Sequence, residues 1–357
     1  MIIHSRFKDY EVHIEDTLDF LYDLAESQNA EFVIDENVYK LYKRYFKKIP
    51  DTRLYLVEAI EEKKVVETAL AICEKMTEIP AKRNACLISI GGGIIQDITG
   101  FVANILYRGI SWTFVPTTLL ASCDSCIGGK TSLNYKKFKN LLGTFYPPDE
   151  LYICPQFFKT LTQKDFESGL GEVVKFNIMA GAQGLKNIED NIEKLLLRDE
   201  STLNRFIESS LEFKKEFIEI DEFDRGERIK LNFAHTFGHA IETVTNYEIP
   251  HGTAVAIGMI MANYISNKRG ILDSITAQRS ENVLLKVIHI QTKLLEYPFE
   301  QFIAAMRKDK KQTGTALTAV LMTNVPKNLK IVHDVFESEV FDALEHYQKI
   351  YDEESIK

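Results

Sequence analysis

The chain has 357 residues, of which 45% are hydrophobic and 27% charged, and its formal net charge is −9. This length accommodates two domains with a core each, and the composition is typical of a globular protein. The acidic balance disfavours nucleic-acid binding, which depends on a basic face. No run of about 18 apolar residues predicts a membrane span. The start of the chain, MIIHSRFKDY, lacks the pattern of a secretory signal. We therefore expect a cytoplasmic protein whose partners include neither nucleic acid nor membrane.

Five cysteines are present, and an odd count in a chain of this size fits reduced thiols in a cytoplasm. Cys123 and Cys126 form a C-x-x-C pattern in the segment SCDSC, which leaves a redox or metal-binding role open. The small residues around the two thiols favour the other interpretation, a tightly packed helix with structural cysteines.

The first part of the chain alternates β-rich runs with helical patterns. Strands are predicted at 31–35, 53–57, 85–90 and 112–116, and helices at 37–48, 61–78 and 94–107. Alternation at this spacing is typical of βαβ units and a mostly parallel, Rossmann-like sheet.

Beyond residue 155 helical patterns dominate. Helices are predicted at 163–181, 201–221, 227–246, 252–269, 276–294, 299–308 and 336–350, with one strand at 316–323. We therefore predict an α/β domain over residues 1–155 and an all-α domain over residues 156–357.

The segment HTFGHAIETVTNYEIPHG carries three of the eight histidines, His235, His239 and His251. His235 and His239 are four residues apart and share a helix face. Imidazoles and one carboxylate suit zinc or a similar cation, with coordination positions left for substrate. Glu172, in GLGEVVKF on another predicted helix, is our candidate for that carboxylate. The alternative is that the helix histidines are satisfied within a core, since H-x-x-x-H alone is a moderate signal.

Gly91, Gly92 and Gly93 stand between a buried predicted strand and a predicted helix. Glycines let a phosphate approach the backbone, and the free N–H groups of a helix N-terminus bind it. The pattern is not G-x-G-x-x-G, so a nucleotide site and a tight strand-to-helix turn are both open interpretations.

Cationic and amide side chains occur near glycines and asparagines in several segments. Arg228, Asn232, His235 and His239 step by three or four, which predicts one helical stripe. Such a stripe is poor core material, because each buried polar group needs a partner. The other members are Arg108, Lys130, Lys139, Asn140, Lys175 and Lys214. For any one of these lysines alone, a solvated surface position is the simpler interpretation.

Taken together, these segments resemble the 3-dehydroquinate synthase family and, more broadly, the sugar phosphate cyclases. The matching text runs in order from about residue 31 to residue 323, with DKK at 309–311. It comprises GGGIIQDITGFVANILYRG, FVPTTLLASCDSCIGGKTSLN, KNLLGTFYPP, GLGEVVKF, RIKLNFAHTFGHAIE and HGTAVAIGM. The resemblance implies an NAD-binding α/β domain followed by a helical metal- and substrate-binding domain.

The resemblance also implies roles for individual residues. The metal ligands, for zinc or cobalt, would be Glu172, His235 and His251. Positions that contact NAD are matched by Asp35, Asn37, Glu61, Lys64, Gly92, Gly93, Asp97, Thr117, Thr118, Lys139 and Thr160. Catalytic positions are matched by Asp124, Lys130, Lys175, Asn232 and His239, and substrate-binding positions by Arg108, Asn140, Lys214, Arg228 and, more loosely, Lys310. Arg108 would reach the site of a partner subunit, which implies a homodimer.

The family's reaction starts from a small phosphorylated keto-acid sugar. Transient oxidation by NAD acidifies a neighbouring proton, phosphate is eliminated, the ketone is reduced, and an aldol step closes a carbocycle. The resemblance therefore implies a phosphate-eliminating cyclase, a carbon–oxygen lyase of the shikimate pathway.

Four residues depart from the family's usual pattern. Gln96, Ser132 and Ala234 stand where glycine is usual, and Thr253 replaces a glutamate. They leave a sister cyclase acting on another substrate, such as sedoheptulose 7-phosphate, as the nearest alternative. A metal-dependent polyol dehydrogenase is a more distant alternative, and a non-catalytic binding protein is a third. The intact ligand and cation set argues against the last.

Overall fold

The computed structural model describes residues 1–78, 82–136, 138–289, 293–308, 316–324 and 329–354. The chain forms two compact units. The first comprises Met1–Thr162 and Ile218–Phe223, and the second comprises Gln163–Phe217 and Asp224–Lys357. The predicted fold class, a parallel-rich α/β part followed by a helical part, is confirmed. No helix among the described residues combines the length and the apolar character that crossing a membrane requires.

A seven-stranded sheet forms the centre of the first unit. Its strands are β1 (Ile2–Ile3), β2 (Tyr10–Ile14), β3 (Ala30–Asp35), β4 (Leu54–Val57), β5 (Cys86–Gly91), β6 (Ser111–Pro116) and β9 (Glu150–Ile153). They are ordered β1-β2-β9-β6-β5-β3-β4, and every neighbouring pair is parallel except β1 and β2. The central strands β3 and β5 are almost wholly buried, which explains their continuous apolar sequences.

Helices and a second, smaller sheet complete this unit. The helices are α1 (Phe20–Glu26), α2 (Glu36–Leu41), α3 (Lys43–Phe46), α4 (Val66–Glu78) and α5 (Gly93–Ile105). Strands β7 (Lys130–Tyr135) and β8 (Phe138–Phe145) form an antiparallel pair that the sequence did not predict. Between β6 and β7, Ala121–Ser125 forms a short π-helix, a rare conformation that is frequent at functional sites.

Two predicted helices of this unit are wrong in extent. The helix predicted at 37–48 is interrupted at Tyr42, whose φ and ψ are −114° and 21°. The helix predicted at 61–78 begins at Val66, because β7 engages the preceding backbone. Asn134 donates its N–H to the carbonyl of Lys64 at 2.8 Å, and Val65 forms a bridge with Asn134.

The described residues of the second unit are helical apart from one antiparallel strand pair. Its helices are α6 (Gln163–Met179), α7 (Ala182–Leu196), α8 (Glu200–Ile220, whose last turn joins the first unit), α9 (His235–Val244), α10 (His251–Lys268), α11 (Ser274–Leu285), α12 (Phe299–Arg307) and α13 (Glu337–Glu354). The strands are β10 (Leu317–Met322) and β11 (Leu329–Val335), of which only the first was predicted. Helix α10 is buried along nearly its whole length, as expected of a helix that is apolar on every face.

Two predictions in this unit also need correction. The helix predicted at 276–294 ends at Leu285, because Val287 and Ile288 leave the helix and are buried outside it. The helix predicted at 227–246 consists of a 3-10 segment, Glu227–Asn232, followed by α9. Ala234 separates the two with a left-handed backbone, φ 67° and ψ −14°. The predicted four-residue stripe is therefore wrong, and only His235 and His239 share a helix.

Ala234 gives a test of this break. A left-handed backbone costs an L-residue about 1–2 kcal/mol, a cost that glycine would avoid. Glycine would instead lose about 0.8 kcal/mol of methyl burial. It would also lower the free energy of unfolding by about 0.4–1 kcal/mol, because its unfolded chain has more conformational freedom. We expect Ala234→Gly to change stability by less than about 1 kcal/mol. Ala234→Val should destabilise by more than about 2 kcal/mol, because the site is buried and a β-branched residue is strained there.

Chemical denaturation of the chelator-treated protein measures both variants without a contribution from bound metal. A valine variant as stable as the wild type would contradict the left-handed break.

Candidate metal centre and active site

Helices α6 and α10 approach each other through two glycines. A Cβ at Gly171 would overlap the carbonyl of Gly252, and a Cβ at Gly252 would overlap the carbonyl of Ser168. The N–H of Gly252 also donates to Ser168 Oγ at 3.1 Å. Because the backbones touch, Glu172, the residue after Gly171, lies beside His251, the residue before Gly252.

Glu172, His235 and His251 come together as the sequence suggested. Glu172 Oε1 lies 3.5 Å from Nε2 of His235 and 3.5 Å from Nε2 of His251. One possible ligand atom from each residue lies within 4.8 Å of the other two. The histidines are the first residues of α9 and α10, and Glu172 lies within α6. Three rigid elements thus hold the three ligands.

A contact at Nδ1 orients each of the two imidazoles. His235 Nδ1 lies 3.0 Å from the carbonyl oxygen of Phe233, and His251 Nδ1 lies 3.1 Å from Glu242 Oε2. With a proton on each Nδ1, both Nε2 lone pairs face Glu172 and are available to a cation. Glu242 was not among the predicted residues. Its signal is the spacing His239-x-x-Glu242, which places both side chains on one face of α9.

The charges of the cluster fit a divalent cation. Glu172 is fully buried, and no described residue donates a hydrogen bond to either of its carboxylate oxygens. The ammonium of Lys175, also buried, forms an ion pair with Oε2. Burial lowers the pKa of His251, but the neighbouring carboxylates of Glu172 and Glu242 outweigh it and raise that pKa to about 10. The buried carboxylate therefore favours a positive charge beside it, and a metal cation can supply that charge in place of the proton on the imidazole.

A second group of possible ligands shares His251. It consists of His239, Glu242 and His251, with their ligand atoms also within 4.8 Å of one another. The rings of His239 and His251 lie 5.9 Å apart between centroids. We favour the Glu172 group, because its carboxylate is fully buried without a hydrogen bond, whereas Glu242 already bonds His251 Nδ1.

The remaining predicted residues of the second unit lie on two elements. Lys214 on α8 and Arg228 in the 3-10 segment are 6% and 3% exposed. Asn232 ends the 3-10 segment, and its Nδ2 donates to the carbonyl of Ile229 at 3.1 Å. Buried cations such as Lys214 and Arg228 imply anionic partners, because an unpaired buried charge is costly.

In the first unit the glycine segment lies at the carboxyl end of the central strand β5. β5 ends at Gly91, Gly92 precedes α5, and Gly93 begins it. A Cβ at Gly92 would lie 3.0 Å from the methyl of Thr118, and Thr117 donates its N–H to the carbonyl of Gly91 at 2.9 Å. After β3 the chain adds β4 on one side and β5 on the other, so β3 and β5 flank a topological switch point. Ligands of open α/β sheets bind at such points.

Several predicted cofactor residues surround this edge. Asp35 ends β3 and accepts a hydrogen bond from the N–H of Asn37 at 2.8 Å. Glu61 Oε1 accepts from Asn134 Nδ2 at 2.8 Å, and Thr160 Oγ1 lies 2.9 Å from the hydroxyl of Tyr42.

Lys64 and Asp97 form an ion pair that the sequence did not predict. Burial raises the pKa of the Asp97 carboxyl, although Lys64 and Ser132 oppose that rise. Lys64 Nζ also donates to Asn140 Oδ1 at 2.6 Å. Lys64 therefore connects Asp97, a predicted cofactor residue, with Asn140, a predicted substrate residue.

The other predicted residues of this unit occupy turns and strand ends. Asp124 lies in the π-helix, Lys130 begins β7, and Lys139 and Asn140 lie in β8. Arg108 is exposed and has a left-handed backbone, φ 69°. Lys310 lies outside the described residues.

Cys123 and Cys126 are buried thiols. Their Sγ atoms lie 3.7 Å and 3.4 Å from the carbonyls of Leu120 and Ser122, to which they donate. This packing favours the structural interpretation of the C-x-x-C pattern.

Solved structures share this fold. A 2-epi-5-epi-valiolone synthase from Streptomyces hygroscopicus subsp. jinggangensis, solved with NAD⁺ and Zn²⁺, has a TM-score of 0.85 at 24% identity, covering 97% of this chain and 99% of that one. A 2-deoxy-scyllo-inosose synthase, solved with carbaglucose-6-phosphate, NAD⁺ and Co²⁺, has a TM-score of 0.83 at 22% identity, with coverage of 97% and 99%. The fold is that of the sugar phosphate cyclases.

Sequence comparison defines the family more narrowly. Residues 54–168 match the model "3-dehydroquinate synthase N-terminal", and residues 169–312 match "3-dehydroquinate synthase C-terminal". The 3-dehydroquinate synthase of Clostridium tetani is 37% identical over 346 residues, covering 94% of this chain and 92% of that protein. That of Dictyoglomus thermophilum is 36% identical over 327 residues, covering 91% of each. The chain belongs to the 3-dehydroquinate synthase family.

The metal affinity of Glu242 variants tests whether Glu242 orients His251. Removing a carboxylate that orients a ligand histidine typically weakens metal binding about 10–100-fold. We expect that loss for Glu242→Ala, and a smaller loss for Glu242→Gln, which keeps an acceptor for His251 Nδ1 but not the charge. Competition with a chromophoric chelator measures the zinc dissociation constant of each variant.

Glu248→Gln is the matched control, because this glutamate lies beyond α9 and is exposed. Wild-type affinity in Glu242→Ala would show that Glu242 does not orient His251.

Proposed function

We propose that this protein is a 3-dehydroquinate synthase, converting 3-deoxy-arabino-heptulosonate 7-phosphate to 3-dehydroquinate and phosphate. The observation that carries the proposal is the Glu172–His235–His251 cluster within a chain 36–37% identical to 3-dehydroquinate synthases over nine-tenths of its length. The valiolone and inosose synthases are more distant, at 24% and 22% identity. This difference favours the dehydroquinate reaction over that of a sister cyclase.

Each unit would hold one of the groups that the reaction requires. In the first, the glycine turn and the nearby Asp35, Asp97, Thr117 and Thr118 would hold NAD. In the second, Glu172, His235 and His251 would hold zinc or cobalt. When bound, the cation polarises coordinated hydroxyl and carbonyl oxygens, and NAD⁺ takes up and returns a hydride.

The chain's own side chains would bind the substrate's two anionic ends. Arg228 offers a planar fork that pairs bidentately with a carboxylate, and Lys214 adds a point charge. Both are buried, so their attraction for a carboxylate is little screened by solvent. Within the first unit, Lys130 and Asn140 would bind the phosphate.

Proton transfer would fall to side chains near the metal cluster. His239 follows His235 by one turn of α9, and the two rings lie 5.5 Å apart between centroids. It would carry a proton to or from the substrate, with Asn232 holding a hydroxyl group in place. Elimination forms the carbon–carbon double bond as a proton leaves one carbon and phosphate leaves its neighbour.

We further propose a homodimer in the cytoplasm. The exposed Arg108, set on a left-handed turn with Tyr107 and Gly109, supports a contact with a partner subunit. Such a turn fixes the direction in which the side chain leaves the backbone.

Turnover tests the proposal directly. With metal and NAD⁺ present, the purified protein should release one phosphate per heptulosonate phosphate consumed, without accumulation of NADH, because oxidation and reduction occur on one bound substrate. Chelation should abolish turnover, and zinc or cobalt should restore it. Stoichiometric release of NADH would instead indicate a polyol dehydrogenase.

Arg228 variants test the choice of substrate. We expect Arg228→Ala to lower kcat/KM for the heptulosonate phosphate at least about 100-fold, since hydrogen bonds between charged groups are each worth about 1.5–3 kcal/mol. The loss on sedoheptulose 7-phosphate, which lacks the carboxylate, should be much smaller. Arg228→Lys should rescue only in part, because it keeps the charge and loses the fork.

Equal losses on both substrates, together with lower thermal stability, would mean that Arg228 only supports the acidic loop at 221–224. A wild-type preference for sedoheptulose 7-phosphate would favour the sister cyclase.

A further inference from the structure

Ser132 is one of the residues that depart from the family's pattern, and it lies in β7 opposite Gly143 of β8. It engages both oxygens of one carboxylate. Its N–H donates to Asp97 Oδ1 at 3.0 Å, and its hydroxyl donates to Asp97 Oδ2 at 3.0 Å. The C–C torsion that turns a carboxylate is otherwise soft, so two contacts from one residue fix the plane of the Asp97 carboxylate.

The same hydroxyl reaches a second acceptor. Ser132 Oγ lies 2.9 Å from Asn140 Oδ1, which also accepts from Lys64 Nζ. Asn140 has a left-handed backbone, φ 52°, and its N–H donates to Asn134 Oδ1 at 2.8 Å. With the backbone fixed in this way, the direction of the Asn140 amide is set by Lys64 and Ser132.

A serine hydroxyl carries one proton and can donate to only one of two acceptors at a time. Lys64 carries three, and it bonds both Asp97 and Asn140. The hydroxyl can therefore rotate to donate to either acceptor, while the Lys64 ammonium keeps Asp97 and Asn140 near each other. A shift of either side chain changes which bond Ser132 makes.

We propose that Ser132 is a positioning residue that couples Asp97, on the cofactor side of the site, to Asn140, on the phosphate side. This inference rests on the proposed function, which assigns NAD to Asp97 and the substrate phosphate to Asn140. The hydroxyl sets the orientation of both groups and takes no part in bond making or breaking. Its loss weakens binding at both ends and leaves the chemical step little changed.

Two measurements on full-length protein test this. Calorimetry gives the dissociation constant for NAD⁺ without turnover, and steady-state kinetics separate KM from kcat for the heptulosonate phosphate. Ser132→Ala keeps the backbone bond and removes the hydroxyl. It raises the NAD⁺ dissociation constant about tenfold, as expected for one bond to the charged Asp97 carboxylate. It raises KM by a smaller factor, because the Asn140 oxygen is a neutral acceptor, and it changes kcat less than about threefold. Ser132→Thr restores the hydroxyl on a residue suited to a strand, and it recovers most of the loss.

Thr144→Ala is the matched control. It removes another hydroxyl bond of the same strand pair, that between Thr131 and Thr144 at 2.6 Å, without touching Asp97 or Asn140. This variant lowers thermal stability slightly and binds NAD⁺ like the wild type. Equal losses of NAD⁺ affinity in both alanine variants would overturn the proposal, because Ser132 would then only stabilise the strands.

Wild-type NAD⁺ affinity and KM in Ser132→Ala would overturn it as well. If the wild-type protein bound no NAD⁺ or did not turn over the heptulosonate phosphate, the proposed function itself would be wrong. That result would remove the proposed function and, with it, the role of Ser132.

Discussion

The backbone contact between α6 and α10 at Gly171 and Gly252 is the constraint on which the second unit's site depends. No side chain fits between the two helices at this crossing, since each Cβ would overlap a carbonyl of the opposite backbone. The residues that flank these glycines, Glu172 and His251, are thereby brought within reach of one cation. A fully buried carboxylate is costly without compensation, so this packing creates a site that needs a positive charge.

The other features of the cluster follow from that need. Ala234 has a left-handed backbone that separates the 3-10 segment from α9. Helix α9 therefore begins with the ligand residue His235. The carbonyl of Phe233 and the carboxylate of Glu242 each hold one Nδ1, which leaves both Nε2 atoms directed at Glu172. Lys175 supplies a fixed positive charge at the second oxygen of the same carboxylate. The crossing of α6 and α10 thus determines where the charged groups of this cluster lie.

Local patterns in the sequence predicted much of this structure, and the errors have physical causes. Strands β3, β5 and β6 are mostly apolar runs that are buried on both faces. Helix α8 is long and amphipathic, and α10 is long and apolar on every face, so their signals are unambiguous. The break at Ala234 could not be predicted from periodicity, because alanine has the highest helix propensity and is left-handed here only through tertiary packing. The β7–β8 pair was missed because its sequence is rich in lysine and asparagine, which are depleted in strands.

The site was predicted better than its supporting bonds. Glu172, His235 and His251 were found from residue type and from resemblance, and the structure brings them together. The contacts among Lys64, Asp97, Ser132 and Asn140 join segments as much as 76 residues apart, and no local pattern records them. Glu242 did have a local signal, its position three residues after His239.

The central claim is that this packing creates one cation site at Glu172, His235 and His251. The most direct test is a crystal structure of the zinc-loaded protein with anomalous data collected on both sides of the zinc absorption edge. The account predicts a single anomalous peak bonded to the Glu172 carboxylate and to Nε2 of both histidines. A peak among His239, Glu242 and His251 Nδ1, or no peak in protein shown to be active, would contradict it.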